Sequence, residues 1–258
     1  MKNMPFNTTN ISTKLSRLVQ WSKIVFLVLC GVLKLVFIFP FMGATDKANS
    51  IQAWSVSLLR IFKMKICVVG EEKLSRTPFL LVSNHISWLD IFAINAFKPI
   101  CFVAKSEVRD WPIFGWMAKQ VGTIFIQRGS ATHARKIVME LAETLKFGAI
   151  CIFPEGTSTS GDHVLPFRSN LFESAVISGI PVSPLAIQYG DLVSQKRSHA
   201  PAFVDDMGLI ESISNILNNP GLEVKLQFLG PILTSESHAY DRKTLALLSH
   251  ESISRAIR

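Results

Sequence analysis

The stretch Ser83–Asp90 reads S-N-H-I-S-W-L-D and follows a short apolar run, Phe79–Val82. Such a run predicts a buried strand, so the octet straddles a strand-to-helix junction. It sets a histidine and an aspartate five residues apart. On one continuous helix, residues at that spacing point about 140° away from each other. His85 and Asp90 therefore meet only if His85 lies in the turn and Asp90 in the first helical turn beyond it. That arrangement lets a carboxylate hold one imidazole nitrogen while the other takes a proton. A structural reading competes with this one. Ser87 and Asp90 fit the S-x-x-D pattern of a helix start, just ahead of the apolar run Ile91–Phe97. The octet by itself leaves both readings open.

Outward from the octet, short apolar runs rich in β-branched residues recur at Lys65–Val69, Ile100–Ala104, Gly122–Gln127, Ala149–Phe153 and Pro181–Gln188. Helical patterns separate them. The clearest is Ala131–Phe147, with Ala134, Val138, Leu141 and Leu145 on one face, Ser130 as its N-cap and Gly148 past its end. The runs are continuously apolar, not alternating, which means that both faces of the sheet are covered. The expected class is α/β, a layered sheet flanked by helices. The tail adds a helix at Met207–Leu217, a Pro220–Gly221 turn, a strand at Glu223–Leu229 and a closing helix from Asp241. One globular domain is expected over 64–258, preceded by an N-terminal basic segment with membrane-associated helices over 1–63.

Composition narrows the class of partner. The chain of 258 residues is 48% hydrophobic with a net charge of +8, and its mean hydropathy is +0.32. A basic, apolar-rich protein is drawn to anionic lipid surfaces. Nucleic acid is disfavoured, because Lys and Arg are scattered and no basic helix, zinc-finger spacing or RNP-like strand focuses them. Cys30, Cys67, Cys101 and Cys151 form no C-x-x-C pair and read as small hydrophobes in a reducing compartment.

The basic start (Lys2, Lys14, Arg17) gives way at Ile24 to an apolar run that lasts to Phe41, interrupted by Lys34. No A-x-A site marks it as a cleaved signal. A full span is short, and Lys34 at a bilayer centre costs about 2.5–3.5 kcal/mol. Gln20, Lys23, Cys30 and Lys34 share one narrow helical sector with Leu27, leaving a broad apolar face. That phase favours an interfacial or re-entrant anchor. A second rhythm at Ser50–Lys63, with Trp54, Leu58, Leu59 and Phe62, fits either another membrane-touching helix or the first helix packed on the domain.

Three further clusters sit at or near strand ends, where α/β folds place their sites. They are Phe102–Glu107 with Lys105, Gly122–Arg128 with Arg128, and Phe153–Ser158 (F-P-E-G-T-S) followed by Leu165–Phe172. A lone cation at a strand end is ordinarily solvated surface, and P-E-G-T is ordinarily a turn. Convergence of two cations with a turn rich in backbone N–H groups would instead bind a phosphate. No G-x-S-x-G, G-x-G-x-x-G or P-loop pattern occurs, and no spacing calls for a metal. The histidines His133, His163, His199, His238 and His250 are isolated.

The four clusters in order, N-H-x-x-x-x-D (Asn84–Asp90), G-x-x-F-I-x-R (Gly122–Arg128), F-P-E-G-T-S and I-P-V-x-P (Ile180–Pro184), resemble the glycerolipid acyltransferase family. The motifs fall within 79–189. Bacterial 1-acylglycerol-3-phosphate acyltransferases are its best-known members. The resemblance implies direct transfer of an acyl group from an acyl-CoA or acyl-ACP thioester to the free hydroxyl of 1-acylglycerol-3-phosphate, giving phosphatidate. The thioester is a co-substrate, and no further cofactor is implied. It makes His85 the general base and Asp90 its orienting partner. Lys105 and Arg128 would hold the acceptor phosphate, with Glu155, Gly156 and Thr157 shaping the acceptor site and Pro181 supporting it. The site would open at the cytoplasmic face of the inner membrane.

The chain also departs from the pattern. P-F-R-S-N (Pro166–Asn170) replaces P-F-K-x-G, and Ser158 stands where the third motif usually has Arg. With Asp205–Met207, this variant is similar to the branch that acylates lyso-ornithine lipid. A silent lipid-binding protein or a lipid hydrolase on the same fold are the readings from other classes. The intact His85/Asp90 pair speaks against the first. Acyl release without an acceptor would mark the second.

Overall fold

A computed structural model describes residues 8–76, 78–127, 131–234 and 240–258, without the side chains of 8–15 and 131–134. Lys2, Arg128, Ser130 and His238 lie outside the described residues, as do the side chains of Lys14 and His133. In chain order the elements are α1 (Thr8–Phe37), α2 (Ala44–Ile61), β1 (Lys65–Val69), β2 (Leu80–Ser83), α3 (Leu89–Phe97) and β3 (Cys101–Lys105). Then come the short α4 (Ser106–Arg109), α5 (Phe114–Gln120), β4 (Ile124–Ile126), α6 (Ala131–Leu145), β5 (Ile150–Ile152) and α7 (Glu173–Ser178). The chain closes with β6 (Val182–Asp191), α8 (Leu209–Asn218), β7 (Leu222–Phe228) and α9 (Arg242–Ala256). Each apolar run holds its strand, and β6 continues past the expected Gln188 to Asp191.

Among the described residues the strands form one seven-stranded sheet in the order β1-β7-β6-β2-β5-β3-β4. Strands β6, β2, β5, β3 and β4 run parallel. Strand β7 is antiparallel to β6, and β1 is parallel to β7. Central strand β2 is buried at all four positions. Successive side chains of a strand point to opposite faces. Leu81 accordingly joins a core with Ile94 of α3 and Ile216 of α8, while Leu80 and Val82 join Leu141 of α6 and Leu245 of α9. This is the layered α/β architecture, with both faces covered.

Helix α2 packs on the domain. Leu58 and Leu59 enter the α3-side core. Gln52 Nε2 donates to the carbonyls of Ala96 (3.2 Å) and Phe97 (2.9 Å), closing groups that the C-terminal turn of α3 leaves without helical partners.

Helix α1 lies against α2, with part of its thin polar sector turned toward the protein, while Lys23 and Cys30 of that sector are exposed. Gln20 Nε2 donates to Ile61 O (3.2 Å), and Cys30 and Lys34 border a cavity between the helices. Trp54 Nε1 of α2 donates to Leu27 O (3.1 Å), and a Cβ at Gly31 would come within 2.7 Å of that nitrogen. The two helices thus close on a glycine. The outward side carries exposed Leu18, Val25, Phe26, Leu29, Leu33, Val36 and Phe37. Ser22 on that side keeps its hydroxyl bonded to Leu18 O (2.9 Å). Gln20 turns inward because the domain offers it a carbonyl partner. Ser16–Phe37, 22 residues, is long and apolar enough to cross a membrane.

Candidate active site

The site forms where the parallel strands end. Strand β2 stops at Ser83, and the chain turns through Asn84, His85 and Ile86 before α3 starts at Leu89. His85 lies in the turn and Asp90 in the first helical turn, as their spacing requires. Asp90 Oδ2 sits 2.8 Å from His85 Nδ1 and also accepts the backbone N–H groups of Ile86 (2.8 Å) and Ser87 (3.0 Å). The catalytic and helix-start readings of the octet are therefore one arrangement: a single carboxylate oxygen ties the turn and holds the imidazole. Ser87 contributes the smaller half, its Oγ accepting Leu89 N at 3.3 Å.

Asp90 is fully buried, whereas the His85 side chain is 22% exposed. Among the described residues His85 Nε2 takes no hydrogen bond, so the basic edge of the ring is open to a reactant. Phe153, just beyond β5, stacks on the imidazole with centroids 4.2 Å apart and planes inclined by 19°. Phe102 of β3 lies behind Phe153 at 6.2 Å.

The Glu155 carboxyl is turned onto the backbone. Oε1 accepts His85 N (2.7 Å) and Oε2 accepts Leu165 N (2.8 Å), and the residue is buried. Burial raises this carboxyl above its ordinary pKa, against the two N–H groups and the nearby His85 that pull the other way. Glu155 thus acts on the site through the backbone of His85. Gly156 follows with φ +71°, a left-handed turn position that glycine adopts at least cost. Thr157 is exposed beside it. Thr159 N donates back to His85 O at 2.9 Å, locking the third motif against the first.

The remaining candidates are spread along the edge. Lys105 ends β3 on the same side of the sheet and is half-buried. Pro181 does not reach the site. It precedes β6 at the opposite edge, where its carbonyl accepts Leu80 N (3.0 Å). Ser158, in the place of the usual Arg, donates its hydroxyl to Phe203 O, and Phe203 N donates to Ile86 O (2.9 Å). The 199–207 segment is thereby tied to the catalytic turn.

Two features escaped the sequence reading. Tyr189 of β6 donates its hydroxyl to Asp90 Oδ1 at 2.7 Å. The second is a cavity of about 360 Å³ walled by α1, α2, α3 and α5, with Trp54, Ile91, Phe92, Phe102, Met117 and Ala118 among its lining. Phe102 belongs both to this wall and to the aromatic stack behind His85, so the apolar space begins one ring away from the imidazole's own partner. A pre-formed apolar space of this kind suits a long hydrocarbon chain.

Comparison with known proteins agrees with this geometry. The Acyltransferase family model matches residues 65–188. A lyso-ornithine lipid O-acyltransferase of Pseudomonas aeruginosa is 36% identical over 209 residues, covering 79% of this chain and 76% of that protein. A 1-acyl-sn-glycerol-3-phosphate acyltransferase of Neisseria gonorrhoeae is 38% identical over 175 residues, 67% of each chain. The crystal structure of the 1-acyl-sn-glycerophosphate (LPA) acyltransferase, PlsC, from Thermotoga maritima shares the fold, with a TM-score of 0.69 at 24% identity across 96% of this chain and 95% of that one. Matched over residues 65–188, which include His85 and Asp90, and by a relative over most of both lengths, the chain belongs to the acyltransferase family.

Proposed function

We propose that this acyltransferase moves a fatty acyl group from a thioester donor to the free hydroxyl of 1-acylglycerol-3-phosphate, giving phosphatidate at a membrane surface. The observation that carries the reading is the 2.8 Å His85–Asp90 pair, open at Nε2 and linked through the Phe153 and Phe102 rings to an apolar cavity. Nε2 takes the acceptor's hydroxyl proton as the oxygen attacks the thioester carbonyl. The C–S bond then breaks, and the proton passes from the imidazolium to the departing thiolate. Asp90 holds Nδ1–H and offsets the imidazolium charge. The thioester is already activated, so proximity replaces an acyl-enzyme.

Lys105, at the end of β3, and Arg128 are the cations assigned to the acceptor phosphate. Acyl-ACP or acyl-CoA supplies the chain, and no further cofactor enters the reaction. The outward apolar face of α1 rests in the bilayer, on its cytoplasmic side, so that both lipid chains stay near their own phase.

A specific observation favours a second acceptor. Ser158 brings no cation to the third motif and spends its hydroxyl on Phe203 O. An acceptor with less phosphate character, such as lyso-ornithine lipid, needs less positive charge there. The test gives detergent-purified protein an acyl thioester with either lysolipid, beside a His85→Ala control. Product from lysophosphatidate supports the first reading, and product mainly from lyso-ornithine lipid supports the second. Transfer that survives His85→Ala removes the base, and acyl release without any acceptor makes the protein a hydrolase.

A further inference from the structure

We propose that Tyr189 is a positioning residue of this active site, setting the proton affinity of the His85–Asp90 pair through its hydrogen bond to the carboxylate. The inference rests on the reading of His85 as the base.

The carboxylate of Asp90 is shared unequally. Oδ2 takes the imidazole and two backbone N–H groups. Oδ1 takes the Tyr189 hydroxyl at 2.7 Å. That length suits an O–H donor on an ionised oxygen, the stronger kind of hydrogen bond. Both residues are buried, so the bond is not diluted by water. Tyr189 reaches Asp90 because β6 outlasts its parallel neighbour β2. Antiparallel pairing with β7, Tyr189 opposite Val224, carries β6 past the sheet edge and fixes the ring's origin.

The ionisable groups around Asp90 are His85, Tyr189, Glu155 and Cys151. Burial and the charge of Asp90 hold the Tyr189 phenol and the Cys151 thiol well above their ordinary values, so both stay protonated at neutral pH. Glu155 is occupied by two backbone N–H groups. Tyr189 is thus the side-chain hydroxyl that bonds the carboxylate from behind.

The sign of its effect follows. A donor on Oδ1 disperses the carboxylate charge and lowers the affinity of the pair for a proton. Its removal must move the acid limb of the rate profile to higher pH, and a stronger donor must move it to lower pH.

The chain has two tyrosines, Tyr189 and Tyr240. In a Tyr240→Phe background, biosynthetic 3-fluorotyrosine therefore labels Tyr189 alone with a more acidic, nearly isosteric phenol. In Tyr189→Phe the acid limb of kcat should rise by about half a unit to one unit, with kcat about tenfold lower and KM within about twofold. The fluorinated protein should shift the limb the opposite way, by about 0.2–0.5 unit, with unchanged folding. Opposite shifts cannot come from packing alone. Wild-type profiles in both proteins, with His85→Ala inactive, would make Tyr189 a packing residue and overturn the proposal while leaving the base intact. Activity retained in His85→Ala would instead remove the base reading, and the proposal with it. Should Tyr189→Phe not fold, the direction of the fluorotyrosine shift decides alone.

Discussion

The side chain of Asn84 pairs with both backbone groups of Ile187, Nδ2 donating to its carbonyl at 3.0 Å and Oδ1 accepting its N–H at 2.8 Å. A side-chain amide thus continues the β2–β6 ladder one step after the β2 backbone has turned toward the site. His85 hangs on that step. Replacing Asn84 by alanine leaves two buried backbone groups without partners, at about 1–3 kcal/mol each. Denaturant unfolding should show a loss of about 2–6 kcal/mol, with activity falling alongside because the turn that carries His85 loses its tether.

Phe153 should matter for rate more than for stability. Its ring fixes the plane of the imidazole by stacking at 4.2 Å. Phe153→Leu keeps most of the apolar volume but removes the flat face. Steady-state assays should show kcat about tenfold lower, equivalent to about 1.4 kcal/mol of lost orientation, with the acceptor KM little changed.

Glu155 predicts a pH effect of known sign. Its folded-state pKa is raised above the ordinary 4.5. The folded protein therefore binds this proton more tightly than the unfolded chain does. The corresponding stability is full below about pH 4.5 and is lost as pH rises through the higher folded value. Glu155→Gln has one acceptor oxygen for two N–H donors, so it should be less stable throughout. Melting curves from pH 4 to 7 should show the advantage of the wild type over the variant shrinking as pH rises. A constant difference across that range would place the raised carboxyl elsewhere.

The cavity invites a test of its occupant. Ala118 of α5 lines it. Ala118→Phe puts a ring into the space, so donors with long chains should lose kcat/KM by at least about tenfold relative to short ones in competition assays. Equal loss for all chain lengths would argue that the chain lies outside the cavity.

Charges on the outer face of α1 test membrane contact. Leu29 and Leu33 are exposed there, one helical turn apart. The double substitution Leu29→Glu/Leu33→Glu should release the protein from anionic vesicles in flotation while leaving its circular dichroism unchanged. Undiminished binding would mean that another surface holds the membrane.

The sequence disclosed what is local. The β2 run, the turn and Asp90 lie within a dozen residues, so periodicity and spacing say where His85 and Asp90 must stand to meet, while their roles come from the resemblance. What escaped was set by distance along the chain or by facing. Tyr189 lies 99 residues from Asp90 and just beyond the apolar run that marks β6. Its reach depends on the antiparallel pairing of β6 with β7, and no local pattern says which strands pair. Glu155 stood in a turn motif, and a motif does not say whether a carboxyl points out or in. For α1, helical phase located the polar sector but could not tell which sector meets the protein. That orientation depends on Trp54 and Ile61 of another helix.

The cavity between α1 and its neighbours is a seam between packed elements, not a hole within the sheet domain. A seam widens or narrows through small rigid shifts of one helix, and no strand need break for it to do so. The helix that forms one wall of the seam also turns an exposed apolar side outward. With that side in a bilayer and an acyl chain in the cavity, as proposed above, bilayer thickness and lateral pressure would become variables of catalysis by pulling or pressing on α1. The medium that dissolves the substrates would in this way tune the enzyme without touching His85.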